Sequence, residues 1–283
     1  MNAEARRARP RRPRRRAAVT LGVFGLMSAL GVCTGCASDG TISYESVYTA
    51  FAGEEPPPTP TEAVAMAFNR EDPDQRRRGV GWLASAPFGG EQEYLAIYRL
   101  LVSDPHPAVR AAVAKALGTH GQSEDANLLA LLLTDADPLV RWQAADALRK
   151  LHNPSAAPAL AARLNPDLED DDDTRAAAAR ALGQYPDRVV LSRLTAALED
   201  RSFAVVNAAH QSLVRLTGHD AGLDPRDWSD WAATNPEPFK NQRPYTYKPY
   251  EPTRGWFDRY VTFWNNQTKG PQTPKGLSRA GGE

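Results

Sequence analysis

The stretch DPHPAVRAAVAKALG at 104–118 returns as DADPLVRWQAADALR at 135–149, and a chain that repeats itself must repeat its fold. DDDDTRAAAARALG (170–183) and DRSFAVVNAAHQSL (200–213) keep the outline, and DPDQRRRGVGWL (72–83) is a degenerate first copy. The leucine that closes each core falls at 83, 117, 148, 182 and 213, at intervals of 34, 31, 34 and 31. Within a copy, Val109, Ala112, Val113, Ala116 and Leu117 share one face of a helix, as do Val205, Ala208, Ala209, Ser212 and Leu213. A second apolar stretch precedes each: YLAIYRLLV (94–102), NLLALLL (127–133), APALAARL (157–164) and VVLSRLTAAL (189–198). The unit is therefore helix, turn, helix. Pro107 and Pro138 suit a first helical turn behind residues able to cap it, and Gly118, Gly183 and Gly218 suit left-handed helix stops. Helix pairs of this kind bury their apolar faces only by stacking on neighbours.

The D-P-x-x-x-V-R-x-x-A-x-x-A-L-G outline resembles the HEAT repeat, in the short form first described in phycobilin lyases. The resemblance spans residues 61–217 and implies an all-α fold, a right-handed α-solenoid of about five helix pairs. It also implies that the recurring acids and arginines pair along the stack in a structural role: Asp104 with Arg110, and Asp135 or Asp137 with Arg141. Arg175 continues the series, but Val206 stands in its place in the fifth copy, so the ladder is expected to fade there. For function the family implies binding scaffolds and adaptors, and in a few members lyases acting on tetrapyrroles.

The two cysteines lie upstream in GVCTGCASD (31–39). Eight arginines (6, 7, 9, 11, 12, 14, 15, 16) and one acid, Glu4, precede an uncharged run, Ala17–Val32, that is short for a spanning helix. Basic segment, apolar run and then Thr34-Gly35-Cys36 resemble the signal and lipobox of bacterial lipoproteins, in which Cys36 would be acylated and become the new N-terminus. The resemblance implies a lipid-anchored protein. Ala37 and Ser38, rather than Asp, then lead to an expected outer-membrane location facing the periplasm. Ordinary cleavage or an uncleaved anchor is the alternative. A redox or zinc role for C-x-x-C lacks the βαβ setting or the two further ligands it requires.

Residues 1–35 are thus read as a signal segment, 36–60 as lipidated cysteine and Pro-rich tether, and 61–217 as the repeats. Residues 218–236 follow as a cap carrying Trp228 and Trp231, and 237–283 as a Pro/aromatic-rich tail, in part disordered. Without the first 35 residues, 26 of the 34 basic and 33 of the 34 acidic residues remain. An acidic chain of this kind is not built to bind nucleic acid, which rewards surplus Lys and Arg.

The five histidines (106, 120, 152, 210, 219) make no metal spacing, and His120 and His152 are expected to be solvated or to complement helix C-termini. EDDDD (169–173) lacks the ligand alternation of a calcium loop and is read as a solvated acidic turn. No phosphate loop or nucleophile elbow is present, so neither enzyme activity nor a cofactor or metal is expected.

The expected role is a membrane-anchored scaffold for an unidentified envelope protein; a structural envelope role, or tetrapyrrole handling, is the alternative. Candidate contacts are Trp142, Asn207 and His210 on the second helices, and Trp256, Phe257, Tyr260, Phe263 and Trp264 of GWFDRYVTFWNN (255–266). The tail that carries this aromatic segment is read three ways: as packing back on the solenoid, as a partner anchor, or as a membrane contact.

Overall fold

The computed structural model describes residues 57–248 and 270–277. Among these there are eleven α-helices and no β-strand. They form five pairs: α1 (Pro60–Ala67) with α2 (Pro73–Ser85), α3 (Gln92–Leu101) with α4 (Pro107–His120), and α5 (Ala126–Leu132) with α6 (Pro138–Leu148). The last two pairs are α7 (Ala157–Ala162) with α8 (Asp172–Leu182) and α9 (Arg188–Ala196) with α10 (Phe203–Thr217). A single helix, α11 (Pro225–Thr234), follows as a cap.

Local chemistry sets the helix starts. Thr59 and Glu62 make a reciprocal capping box on α1, and Asp72, Asp137, Asp171, Asp187 and Asp224 each accept from backbone N–H groups of the helix they open. His106 precedes Pro107 but makes no side-chain cap; Asp104 Oδ1 instead accepts from the His106 N–H at 2.8 Å.

Only Gly218 among the three expected stop glycines is left-handed, with φ of 69°. Gly118 lies inside α4, where a Cβ would come within 2.6 Å of Ala147 Cβ on α6. Gly183 ends α8 with φ of −61°, and a Cβ there would meet Ser212 Oγ of α10 at 2.8 Å. These two glycines serve close helix approach rather than a turn, because the second helices stack directly on one another. The fully buried Ala114, Ala145 and Ala179 occupy that seam for the same reason.

On the turn edge the repeats are joined by four guanidinium rungs. Arg76 pairs with Asp104 (2.8 and 3.0 Å), Arg110 with Asp135 (both 2.7 Å), Arg141 with Glu169 (both 2.7 Å) and Arg175 with Asp200 (2.7 and 3.1 Å). Each is a two-point fork, the strong geometry for this pair. The expected pairings are therefore displaced by one repeat. Arg110 Nη1 reaches the backbone oxygen of Asp104 at 2.8 Å, not its carboxylate, and Arg141 likewise holds the carbonyls of Asp135 and Ala136. Asp137 caps α6 instead. Each arginine thus ties its own turn to the next repeat. Glu169, read as part of a solvated turn, is buried and takes Arg141, while Asp171 caps α8 and Asp172 and Asp173 occupy its first turn. Val206 has no guanidinium to extend the series past Asp200.

Burial would raise the pKa of Asp135 and Asp200, but the arginine hydrogen bonds, a backbone N–H and nearby positive charge outweigh it and leave both below the ordinary value. Arg175 is fully buried. Arg175→Met should destabilise the protein by about 3–5 kcal/mol, because it strands the Asp200 carboxylate. Adding Asp200→Leu should recover most of the loss. Urea unfolding of the three variants beside the parent measures both.

Candidate partner-binding surface

The second helices present one side to solvent. On α6 and its C-cap, Trp142, Asp146 and Arg149 share a stripe at i, i+4 and i+7; on α10, Asn207, Gln211 and Arg215 line one at i, i+4 and i+8. Trp142 and Asn207 occupy the same place in their repeats, one residue after Arg141 and Val206. Trp142 is half-buried against the core, and Asn207 is exposed and accepts from Gln211 Nε2 at 3.3 Å. The structure thus brings these two candidates onto one face. His210 is drawn off it: Nε2 lies 2.8 Å from Asp220 Oδ1, and the ring meets Trp228 edge-on. Cys36, Trp256, Phe257, Tyr260, Phe263 and Trp264 lie outside the described residues.

The described parts of the tail run back along the C-terminal ends of the second helices. Arg243 N–H donates to the Arg215 carbonyl of α10, and the buried Tyr245 hydroxyl donates to the Arg180 carbonyl of α8 at 2.9 Å. Arg215 lies over the Tyr245 ring and Arg149 over that of Tyr247. Tyr247 and Gln272 exchange two backbone hydrogen bonds of 2.9 Å. Residues 275–276 then pass α6 and reach α4, where Lys275 Nζ donates to the carbonyls of His120 and Gly121 at its C-terminus. This strap had no signal in the repeat pattern, since extended chain with isolated aromatics has no period.

At the far end α11 covers the last pair. Trp228 is fully buried and donates Nε1–H to the Gly222 carbonyl, while Trp231 stacks on His219 at 4.8 Å. A cavity of about 440 Å³ lies between α9 and α11, lined by Leu191, Thr195, Glu199, Trp228, Ser229 and Ala232 among others; no histidine or cysteine lines it.

Two histidines depart from expectation. His120 Nε2 bonds the Ala84 carbonyl at 2.7 Å, joining α4 to α2. His152 is stacked on Tyr185, and its Nδ1 lies 3.1 Å from Gln184 Oε1. Burial holds its pKa below the ordinary 6.5, against the opposing pull of the Gln184 hydrogen bond. Among the described residues no three metal-ligating side chains converge, and no helix is long and apolar enough to cross a membrane.

Residues 96–171 match the family model described as HEAT repeats, and residues 174–200 match that described as PBS lyase HEAT-like repeat. The middle of the stack, residues 96–200, is thus made of HEAT repeats. Such arrays form scaffolds for protein interaction, presenting extended surfaces made by successive repeats. A comparison with curated proteins finds no match. Among solved structures, an engineered protein is 19% identical over 55% of this chain and 78% of its own, with a TM-score of 0.45. The Escherichia coli protein YibA is 20% identical over 62% of this chain and 68% of its own, also with a TM-score of 0.45. Likeness at that level says nothing of what the HEAT array binds.

The His152 site gives a pH signature. Because its folded pKa is depressed, its contribution to stability is complete above the unfolded value of 6.5 and is lost as pH falls through the folded value. The ring should titrate below 6.5 by NMR. The urea midpoint should fall between pH 8 and pH 5 less in His152→Phe than in the parent.

Proposed function

We propose that this chain is a membrane-anchored, non-enzymatic scaffold in the cell envelope, which presents the second-helix face of its HEAT array to a partner protein. The observation that carries the reading is the division of labour across the stack. Four arginine forks from the N-terminal ends of the second helices bind the turn edge, while the rest of the outward side of those helices keeps half-buried and exposed groups such as Trp142, Asn207 and Arg215 free of any rung. A stack joined in this way holds such groups at fixed spacing, and preorganisation of that kind lowers the cost of binding. The arginine-rich start, the apolar run and the cysteine at position 36 support attachment by lipid, with the Pro-rich 54–60 stretch as a spacer. The outer membrane, with the array facing the periplasm, is the location the residues after Cys36 favour.

Growth with an alkyne-tagged palmitate tests the anchor. The intact chain should take up label and fractionate with membranes, and Cys36→Ser should lose both. Label on Cys36→Ser, or an unlabelled soluble parent, contradicts lipid attachment at that residue. Affinity capture from solubilised envelopes tests the scaffold. A stoichiometric partner supports it, and none favours a bulk structural role.

A further inference from the structure

The charge of the second-helix face is opposite to that of the chain around it. Beyond residue 35 the chain is acidic, with 33 acids against 26 bases. From α6 to α10, however, this face carries Arg149, Lys150, Arg180 and Arg215 against two carboxylates, Asp146 and, two turns before Arg180 on α8, Asp173. Asp146 is already engaged by Arg149 Nη2 at 2.7 Å and by Lys150 Nζ at 3.1 Å. Arg215 and Arg149 lie over Tyr245 and Tyr247, which wall the face on its strap side.

Arg180 stands between them on α8, and among the described residues its guanidinium makes neither a hydrogen bond nor an ion pair. The nearest acid along its own helix, Asp173, is seven residues or about two turns away. Burial, and next the charge of Arg149, push its pKa below the ordinary arginine value and outweigh the attraction of Asp146 and Asp173, so the cation is held where it is poorly solvated. Arg149 Nε, near it, is buried without an acceptor. Every ladder arginine in the same protein has its carboxylate. A half-buried guanidinium kept without one costs stability, and such a cost is common where a site awaits its ligand.

We propose that the face made by α6, α8 and α10 takes an acidic segment of the partner protein, with one carboxylate seated on Arg180 between Arg149 and Arg215. This rests on the scaffold reading above and names the partner's chemistry. Charge complementarity favours it, since an acidic protein with one cationic face steers an acidic segment there and repels it elsewhere. Tyr247 and Trp142 flank the cations with half-buried apolar surface on which the backbone of such a segment can lie.

Fluorescein-labelled octaglutamate, followed by anisotropy against the intact chain in detergent, provides the test. The parent should bind it, Arg180→Glu and Arg180→Met should each weaken binding at least tenfold, and the exposed Arg226→Glu on α11 should change it by less than about twofold. Thermal melts of the same proteins separate a binding role from a structural one. Arg180→Met should raise the Tm by roughly 2–4 °C, since it removes a poorly solvated charge. Absence of octaglutamate binding, equal weakening by Arg226→Glu, or a lowered Tm in Arg180→Met would each overturn the proposal. So would Arg180-dependent binding to phosphatidylglycerol vesicles in place of the peptide. An envelope partner that is retained by Arg180→Glu and not displaced by octaglutamate would sink the acidic segment but leave the scaffold standing.

Discussion

Everything in this fold hangs on a guanidinium that must satisfy two repeats at once. A buried arginine is tolerable only when its donors are all engaged, and here each ladder arginine turns Nη1 to the carbonyls of its own turn and its remaining fork to the carboxylate of the next. That requirement fixes the offset of successive pairs. It also explains how the stack tolerates an uneven period. The intervals of 34 residues coincide with longer turns, at 86–91 between α2 and α3 and at 163–171 between α7 and α8, while the rung geometry stays the same. At the second of these longer turns the carboxylate is Glu169, one methylene longer than the aspartates of the other rungs.

Towards their C-terminal ends the second helices meet through glycine and alanine. Gly118 against Ala147, and Ser212 Oγ donating to the Ala179 carbonyl, show how little room separates them. Rungs on one edge and a small-residue seam along the second helices leave leucines of the first helices, such as Leu95, Leu129, Leu160 and Leu194, to fill the core between layers. The tail adds a third tie, running from α10 back to α4 across the helix C-termini. The cationic second-helix face thus belongs to a stack tied at several points, which is what a binding surface of fixed spacing needs.

The repeat, the helix pairs and the cap were legible because 3.6-residue periodicity, N1 prolines and the Asp224-Pro225 start are local signals. What was not legible depends on how one layer meets the next. The partner of Arg141 lies 28 residues ahead, and no local rule separates it from Asp135 or Asp137. Gly118 reads as a helix stop until Ala147 is placed against it. Arg180 looks like any surface arginine on α8, and only its burial without an ion pair among the described residues, with Arg149 nearby, sets it apart. Packing of the tail back on the stack was one of the readings the sequence left open, but its anchors were not legible, because Tyr245 and Lys275 are held by backbone carbonyls, which leave no trace in residue identity.

The central claim is that the rungs make the stack one mechanical unit, and breaking the middle rung with Arg141→Met while following native-state hydrogen exchange tests it most directly. The account predicts that amide protection falls on both sides of the broken rung, in α8 and α10 as well as in α6. Loss confined to the 135–141 turn, with α8 and α10 as protected as in the parent, would contradict it.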